Sequence, residues 1–181
     1  MTKSALILID IQNDYFPGGK WELHNIDASA AKAKRLLEDA RSKGQMIVHI
    51  RHESPEGAPF FEVGSEGADF HASVLPADGE HVVTKTEVNS FKGTDLKAIL
   101  DGADITGLTI AGDMSHMCVD AAVRAASDFG YAVTLVEDAC SSRDLEFNGD
   151  VVPAEQVHKA FMSALGFAYA TLTTTDAYLS I

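Results

Sequence analysis

The chain opens on a continuous apolar run, Ala5 to Ile9, that follows Ser4 and stops at Asp10. A parallel sheet covered by helices leaves neither face wet, so its strands read as unbroken apolar stretches. Ser4–Ile9 is therefore predicted as a buried strand. Over residues 27–43 alanines and leucines recur among charges at helical spacing, and Gly44 follows as a stop. Residues 46–50 read as the next strand. From 52 to 80 the pattern is lost among Gly, Pro, Ser and acidic residues, which predicts a long surface excursion; loops of this length are functional or disordered. The alternation then resumes. Strands are predicted at 81–84, 108–111, 132–136 and 168–172, and helices at 95–100, 115–129, 154–166 and Thr175–Leu179.

Strands alternating with helices imply βαβ units, a mainly parallel sheet and right-handed crossovers that put helices on both faces. The fold class is thus α/β, a Rossmann-like three-layer arrangement. Its ligands belong beyond the carboxyl ends of the strands, where the strand order reverses. Asp10 ends the first strand, and the segment from Asp113 to Cys118 follows the strand at 108–111. Both open onto that rim, and Lys85, after 81–84, is placed to do the same.

The chain has 181 residues, 46% of them hydrophobic, which suits one domain spanning 1–181 with an ordinary core. The net charge of −13 comes with no basic stripe, so nucleic acid is not an expected partner. No apolar stretch approaches the ~20 residues that span a bilayer, and the start lacks a secretory pattern. A cytoplasmic protein with two free thiols, Cys118 and Cys140, is expected.

The sequence Gly112-Asp113-Met114-Ser115-His116-Met117-Cys118 reads as strand end, tight turn and helix start, with Ser115 as the expected cap. A thiol in the first helical turn gains thiolate character from the helix N-terminus, and free amides there form an oxyanion site. Most free cysteines are buried small hydrophobes, and a lone lysine such as Lys85 is usually a solvated charge. Asp10 alone reads equally well as a turn cap. His116 and Asp120 lie two residues to either side of Cys118 and so face away from it.

Four motifs change that balance. Leu8-Ile9-Asp10-Ile11-Gln12-Asn13-Asp14-Tyr15-Phe16, Lys85 to Phe91 with Gly93-Thr94-Asp95-Leu96, Gly112 to Val119, and Asp138-Ala139-Cys140-Ser141-Ser142 stand in order along the chain. Together they resemble the isochorismatase-like cysteine hydrolases, whose members include nicotinamidases, N-carbamoylsarcosine amidohydrolases and ureidoacrylate amidohydrolases. The resemblance runs from Ala5 to about Leu179. It implies Cys118 as nucleophile, Asp10 as general base and then acid, and Lys85 as the group that lowers the thiol pKa and holds the aspartate. It also implies a cis peptide between Asp113 and Met114, which aims the Met114 and Cys118 amides at one oxyanion site. The reaction it implies is cleavage of a C–N bond in a small amide, carbamoyl or urea-type substrate through a thioester. Tyr15, Phe16, Phe91 and Met117 are the candidate substrate contacts, with core packing as the alternative for each.

The resemblance has limits. Nicotinamidases hold a metal through an aspartate–x–histidine pattern after the second strand. Here that stretch reads His49-Ile50-Arg51-His52-Glu53-Ser54, and His52 and His71 alone make a poor site. No metal or other cofactor is expected, and Arg51 or His52 is left as a rim residue or a contact for a substrate carboxylate. Isochorismatases proper cleave a vinyl ether without a cysteine nucleophile, so Cys118 favours amide chemistry over that alternative. A non-catalytic metabolite-binding relative and a thiol-redox protein are the other readings; the second lacks a Cys-x-x-Cys pair. The expected partner is a small-molecule substrate, and the family resemblance implies a homo-oligomer.

Overall fold

The computed structural model describes residues 3–180. A six-stranded sheet forms its centre: β1 (Ser4–Ile9), β2 (Met46–His52), β3 (His81–Lys85), β4 (Gly107–Asp113), β5 (Ala132–Ser141) and β8 (Thr171–Thr173). Its order is β3-β2-β1-β4-β5-β8, and every pairing is parallel. The helices are α1 (Ile26–Ser42), α2 (Leu96–Gly102), α3 (Cys118–Asp128), α4 (Ala154–Ala168) and α5 (Thr175–Leu179). A two-stranded antiparallel hairpin, β6 (Leu145–Phe147) with β7 (Asp150–Val152), stands apart from the sheet. Among the described residues no helix is long and apolar enough to cross a membrane.

The apolar run of β1 serves two cores because successive side chains leave a strand on opposite faces. Ala5, Ile7 and Ile9 join Leu96 and Leu100 of α2, Val119 and Val123 of α3, and Met162 and Leu165 of α4. Leu6 and Leu8 join Ala33, Leu36 and Leu37 of α1 on the other face. The three-layer α/β arrangement read from the sequence is the one observed.

The departures have local causes. α3 begins at Cys118 and not at 115, because Ser115 gives its amide (2.8 Å) and its hydroxyl (2.9 Å) to the Ser141 carbonyl. Ser115 is thus a brace between two turns, not a cap. β5 runs on to Ser141, since Gly112 and Asp113 continue to pair with Cys140 and Ser141 beyond an irregularity after Ile110. The last strand starts at Thr171, because α4 carries the chain on to Ala168. The 52–80 excursion is ordered: it holds short 3-10 turns at Glu66–Ala68 and Ala72–Val74 and buries Phe61, Ala68 and Val74.

Strand order reverses between β1 and β4, which places the crevice above their carboxyl ends. Gly112 lets the two approach there. It has φ 122°, and a Cβ on it would lie 2.1 Å from the carbonyl oxygen of Ile9.

Candidate active site

Three strand ends deliver the three expected groups to this crevice. Asp10 leaves β1 with φ 51°, an uncommon conformation for a non-glycine residue, while its amide donates to Ile50 O at 3.1 Å. Lys85 is the last residue of β3, two strands away, and its side chain reaches across the end of β2. Cys118 is the first residue of α3, after the turn that follows β4.

Lys85 Nζ lies 2.8 Å from Asp10 Oδ2 and donates to Cys118 Sγ at 3.2 Å. The side chains of Lys85 and Asp10 are fully buried. An ammonium has three donors, and the third meets His52 Nδ1 at 2.9 Å. Lys85 is therefore saturated by one carboxylate, one sulfur and one imidazole. Burial works against its charge, but Asp10 and Cys118 outweigh that penalty and raise its pKa.

The thiol departs from the sequence expectation. Burial first, then the negative charge of Asp10, push the Cys118 pKa up; Lys85 pulls it down but does not prevail. Cys118 is thus a neutral thiol at rest rather than a preformed thiolate. A position at a helix start does not offset burial beside a carboxylate.

Asp10, His52 and Cys118 each point a ligand-type atom to one place, within 4.8 Å of one another. The centre of that cluster is filled by the Lys85 ammonium, which already touches all three. The donor set therefore fits a protonated amine and not an added metal ion.

The peptide bond between Asp113 and Met114 is cis. In the turn that follows, the amides of Ser115, Met117 and Val119 are bound to carbonyls of Ser141 and Met114. The amides of Met114 and Cys118 have no carbonyl acceptor among the described residues. The Asp113 carboxylate is buried and accepts from the amide and hydroxyl of Ser141. Burial pushes its pKa up to about 7 against those two bonds.

The remaining expected residues divide. Tyr15 is buried against Phe61, with ring centroids 4.5 Å apart, and burial together with the charges of Asp10, Cys118 and Asp113 raises its phenol pKa. Met117 flanks the nucleophile and is 40% exposed. Phe16 stacks on His71 at 3.5 Å, which occupies both rings. Phe91 packs with Phe129 (5.3 Å) and Tyr131 (6.3 Å) just past the carboxyl end of α3. Cys118 is at the other end of that helix, roughly 15 Å away at 1.5 Å per residue. The ring contacts of Phe91 are those of a packing residue.

His116 is tied to Ser142 Oγ at 2.7 Å, and Asp120 pairs with Arg124 at 2.9 Å, so neither competes with Asp10 as a base. Cys140 is a free, buried thiol that donates to Val136 O. It lines a cavity of about 370 Å³ with His24, Lys32 and His158 that includes none of Asp10, Lys85 and Cys118.

Sequence reasoning missed three participants. Gln12 is fully buried and ties β1 to β2: its Oε1 accepts from His52 N and its Nε2 donates to His52 O, both at 2.8 Å. His52, expected as a rim residue or a substrate-carboxylate contact, meets Lys85 Nζ at 2.9 Å. The Arg143 guanidinium lies 4.0 Å over the Trp21 ring, and its charge acts on both Tyr15 and His116. Among the described residues Arg143 has no acidic partner within salt-bridge distance, and Trp21 Nε1 is buried with no acceptor. A glutamine two residues after Asp10 was a visible signal; an arginine after a strand end was not.

Comparison with known proteins shows the family. The family model for the isochorismatase domain matches residues 4–177. A Bacillus subtilis protein described as the uncharacterized isochorismatase family protein YddQ is 46% identical over 178 residues, covering 97% of this chain and 98% of its own. Maleamate amidohydrolase of Pseudomonas putida is 28% identical over 156 residues, covering 78% of this chain and 73% of its own. A crystal structure of a putative isochorismatase hydrolase from Oleispira antarctica superposes with TM-score 0.97 at 50% identity, covering 99% of this chain and 97% of that one.

Proposed function

The chain belongs to the isochorismatase family of hydrolases, and from that premise we propose that it is a cysteine amidohydrolase with Cys118 as nucleophile. The observation that carries the reading is the buried Lys85 ammonium, which contacts Asp10 at 2.8 Å and Cys118 at 3.2 Å.

Because the resting thiol is neutral, its proton must leave as the S–C bond forms. Asp10 takes that proton, and the carbonyl oxygen becomes an oxyanion received by the Met114 and Cys118 amides. Collapse breaks the C–N bond. Asp10 returns the proton to the departing nitrogen, and a thioester remains on Cys118. Water then attacks the thioester, Asp10 again takes and returns one proton, and the carboxylic acid is released. Lys85 stays charged throughout and fixes the carboxylate beside the sulfur.

Tyr15, Trp21, Phe60 and Phe61 form a continuous aromatic group, which in this reading serves with Met117 as the wall that receives the substrate. An arginine without an acidic partner and an indole N–H without an acceptor at that wall suit a substrate whose acyl part carries a carboxylate. The name of the maleamate-cleaving relative fits a C–N bond as the target. Two reduced, buried thiols suit a cytoplasmic setting, and a homo-oligomer is the assembly we expect; light scattering on the purified protein tests the latter.

The test is ammonia release from a panel of small amides, carbamoyl compounds and ureas, with and without a terminal carboxylate. Cys118→Ala should abolish release, and acid quenching of the wild type should trap an acyl group on the Cys118 peptide. Continued turnover by Cys118→Ala, or release of the enol product of a vinyl ether with no amide turned over, overturns the assignment.

A further inference from the structure

Among the contacts of Lys85, the one to His52 has no part in the reaction just described. An N–H of the ammonium points at Nδ1, and only an unprotonated nitrogen can accept it. The His52 ring proton is therefore on Nε2. The rest of His52 is held with equal care. Its amide and carbonyl are both bound by Gln12, whose amide also donates to Ala68 O at 2.8 Å. His52 and Lys85 are paired residues in the β2–β3 register, so their side chains leave neighbouring strands on the same face.

We propose that His52 is a positioning residue whose neutral Nδ1 holds the Lys85 ammonium between Asp10 and Cys118, so that the site works only with the His52 ring deprotonated. Protonation would remove the Nδ1 lone pair and set a second cation 2.9 Å from the first. One of the two would have to move, and the movable one is the long lysine side chain. The groups that face the ring are Lys85 from β3, Asp10 from β1, Glu87 from the segment after β3, and Cys118 from α3. Burial and then Lys85 keep the ring neutral, while Asp10 and Glu87 oppose them; the balance lies below an ordinary histidine. The site should therefore lose activity on acidification, at a pH lower than that at which an ordinary histidine titrates.

This rests on the cysteine-hydrolase reading only in its kinetic arm, so two readouts are used. The first is the rate at which p-nitrophenyl acetate acetylates Cys118, followed as a p-nitrophenol burst and by mass of the Cys118 peptide between pH 5 and 8. His52→Asn keeps an acceptor near the position of Nδ1 without a titrating ring; His52→Leu removes it. The expected result is an acid limb in the wild type, its loss in His52→Asn with the rate at pH 7.5 within about threefold, and a fall of at least tenfold in His52→Leu. A purely structural histidine would leave the limb in place. An acid limb unchanged in His52→Asn, or a fully active His52→Leu, overturns the proposal. The second readout is the ring nitrogens of His52 in long-range 1H–15N spectra. The Nε2–H form at pH 7.5, and a His52 pKa that rises in Lys85→Met, support the contact even if no Cys118 acylation is seen. A proton on Nδ1 at pH 7.5 overturns it. Absence of acylation in the wild type, with the Nε2–H form present, counts against the cysteine hydrolase and not against the His52–Lys85 contact.

Discussion

Replacing Asp10 by asparagine separates two effects that the wild-type site combines. The carboxylate is the base of the proposed reaction, and its charge also holds the thiol in its neutral form. Loss of a positioned general base lowers turnover by roughly 10²–10⁴-fold. The same change removes an anion from beside the sulfur while Lys85 remains 3.2 Å away. A neighbouring charge moves a pKa by roughly one to three pH units, so the thiolate fraction at neutral pH should rise roughly 10–1,000-fold. Stability should fall as well, because a buried lysine loses its carboxylate; breaking one side of such a pair costs about 3–5 kcal/mol. The assay is paired: amide hydrolysis, and second-order carbamidomethylation of Cys118 by iodoacetamide from pH 6 to 9, with chemical unfolding as a control. The expectation is opposite signs, slower hydrolysis with faster alkylation. If Asp10→Asn hydrolyses amides normally, or alkylates more slowly than the wild type while still folded, the assignment of Asp10 as base and thiol suppressor is wrong.

Gly112→Ala would press a Cβ to 2.1 Å from the backbone of Ile9. Neither strand can yield, so we expect a loss of at least about 3 kcal/mol in urea unfolding; an unchanged midpoint would refute the close approach. Glu80 accepts from Arg41, Ala77 N and buried His49, and the Arg41 bond is the chief reason its pKa falls to about 2. A depressed carboxylate contributes stability above its unfolded pKa and loses it as the pH falls through the folded one. That contribution, about 3 kcal/mol, should fade between pH 4.5 and 2 in the wild type and be missing from Glu80→Gln. Equal acid sensitivity of the two proteins in urea would contradict it. Arg143→Leu should raise KM at least tenfold for amides that carry a carboxylate and leave neutral amides unaffected; equal effects on both would remove Arg143 from substrate recognition.

The chain-order pattern carried the fold because burial on two faces leaves a direct mark. Ala5 to Ile9 has no polar residue, and the strand it forms feeds both cores. Asp10 was legible as the end of that run, while Lys85 and Cys118 were read from the four motifs of the resemblance; parallel strands then bring all three to one rim. His52 and Gln12 were harder to read because their partners lie across a strand boundary. The Gln12 clamp acts on backbone atoms of β2, which no residue type advertises. The hairpin at Leu145–Val152 escaped because its strands have three residues each, too few for a period to show. Phe91 shows how little distance along the chain says about neighbours in space. It lies six residues from Lys85 in sequence, but the intervening turn carries it away to Phe129 and Tyr131.

Charge balance explains why an ammonium suits the centre of this cluster. At rest the buried groups are one carboxylate, one ammonium, a neutral thiol and a neutral imidazole, which sum to zero. Burying a net charge is costly, so a neutral assembly can be fully enclosed. In the proposed attack the thiol proton moves to Asp10 and the negative charge reappears on the substrate oxygen. The sum within the site is still zero, and only the position of the anion has changed. A divalent ion in place of Lys85 would hold the sulfur as a bound thiolate at rest. The lysine instead leaves the thiol protonated until a carbonyl arrives. It follows that Lys85→Met should harm the transition state more than the ground state: kcat should fall by at least 10²-fold while KM changes little. A variant with normal kcat and a raised KM would show that Lys85 binds substrate and does not balance charge during the reaction.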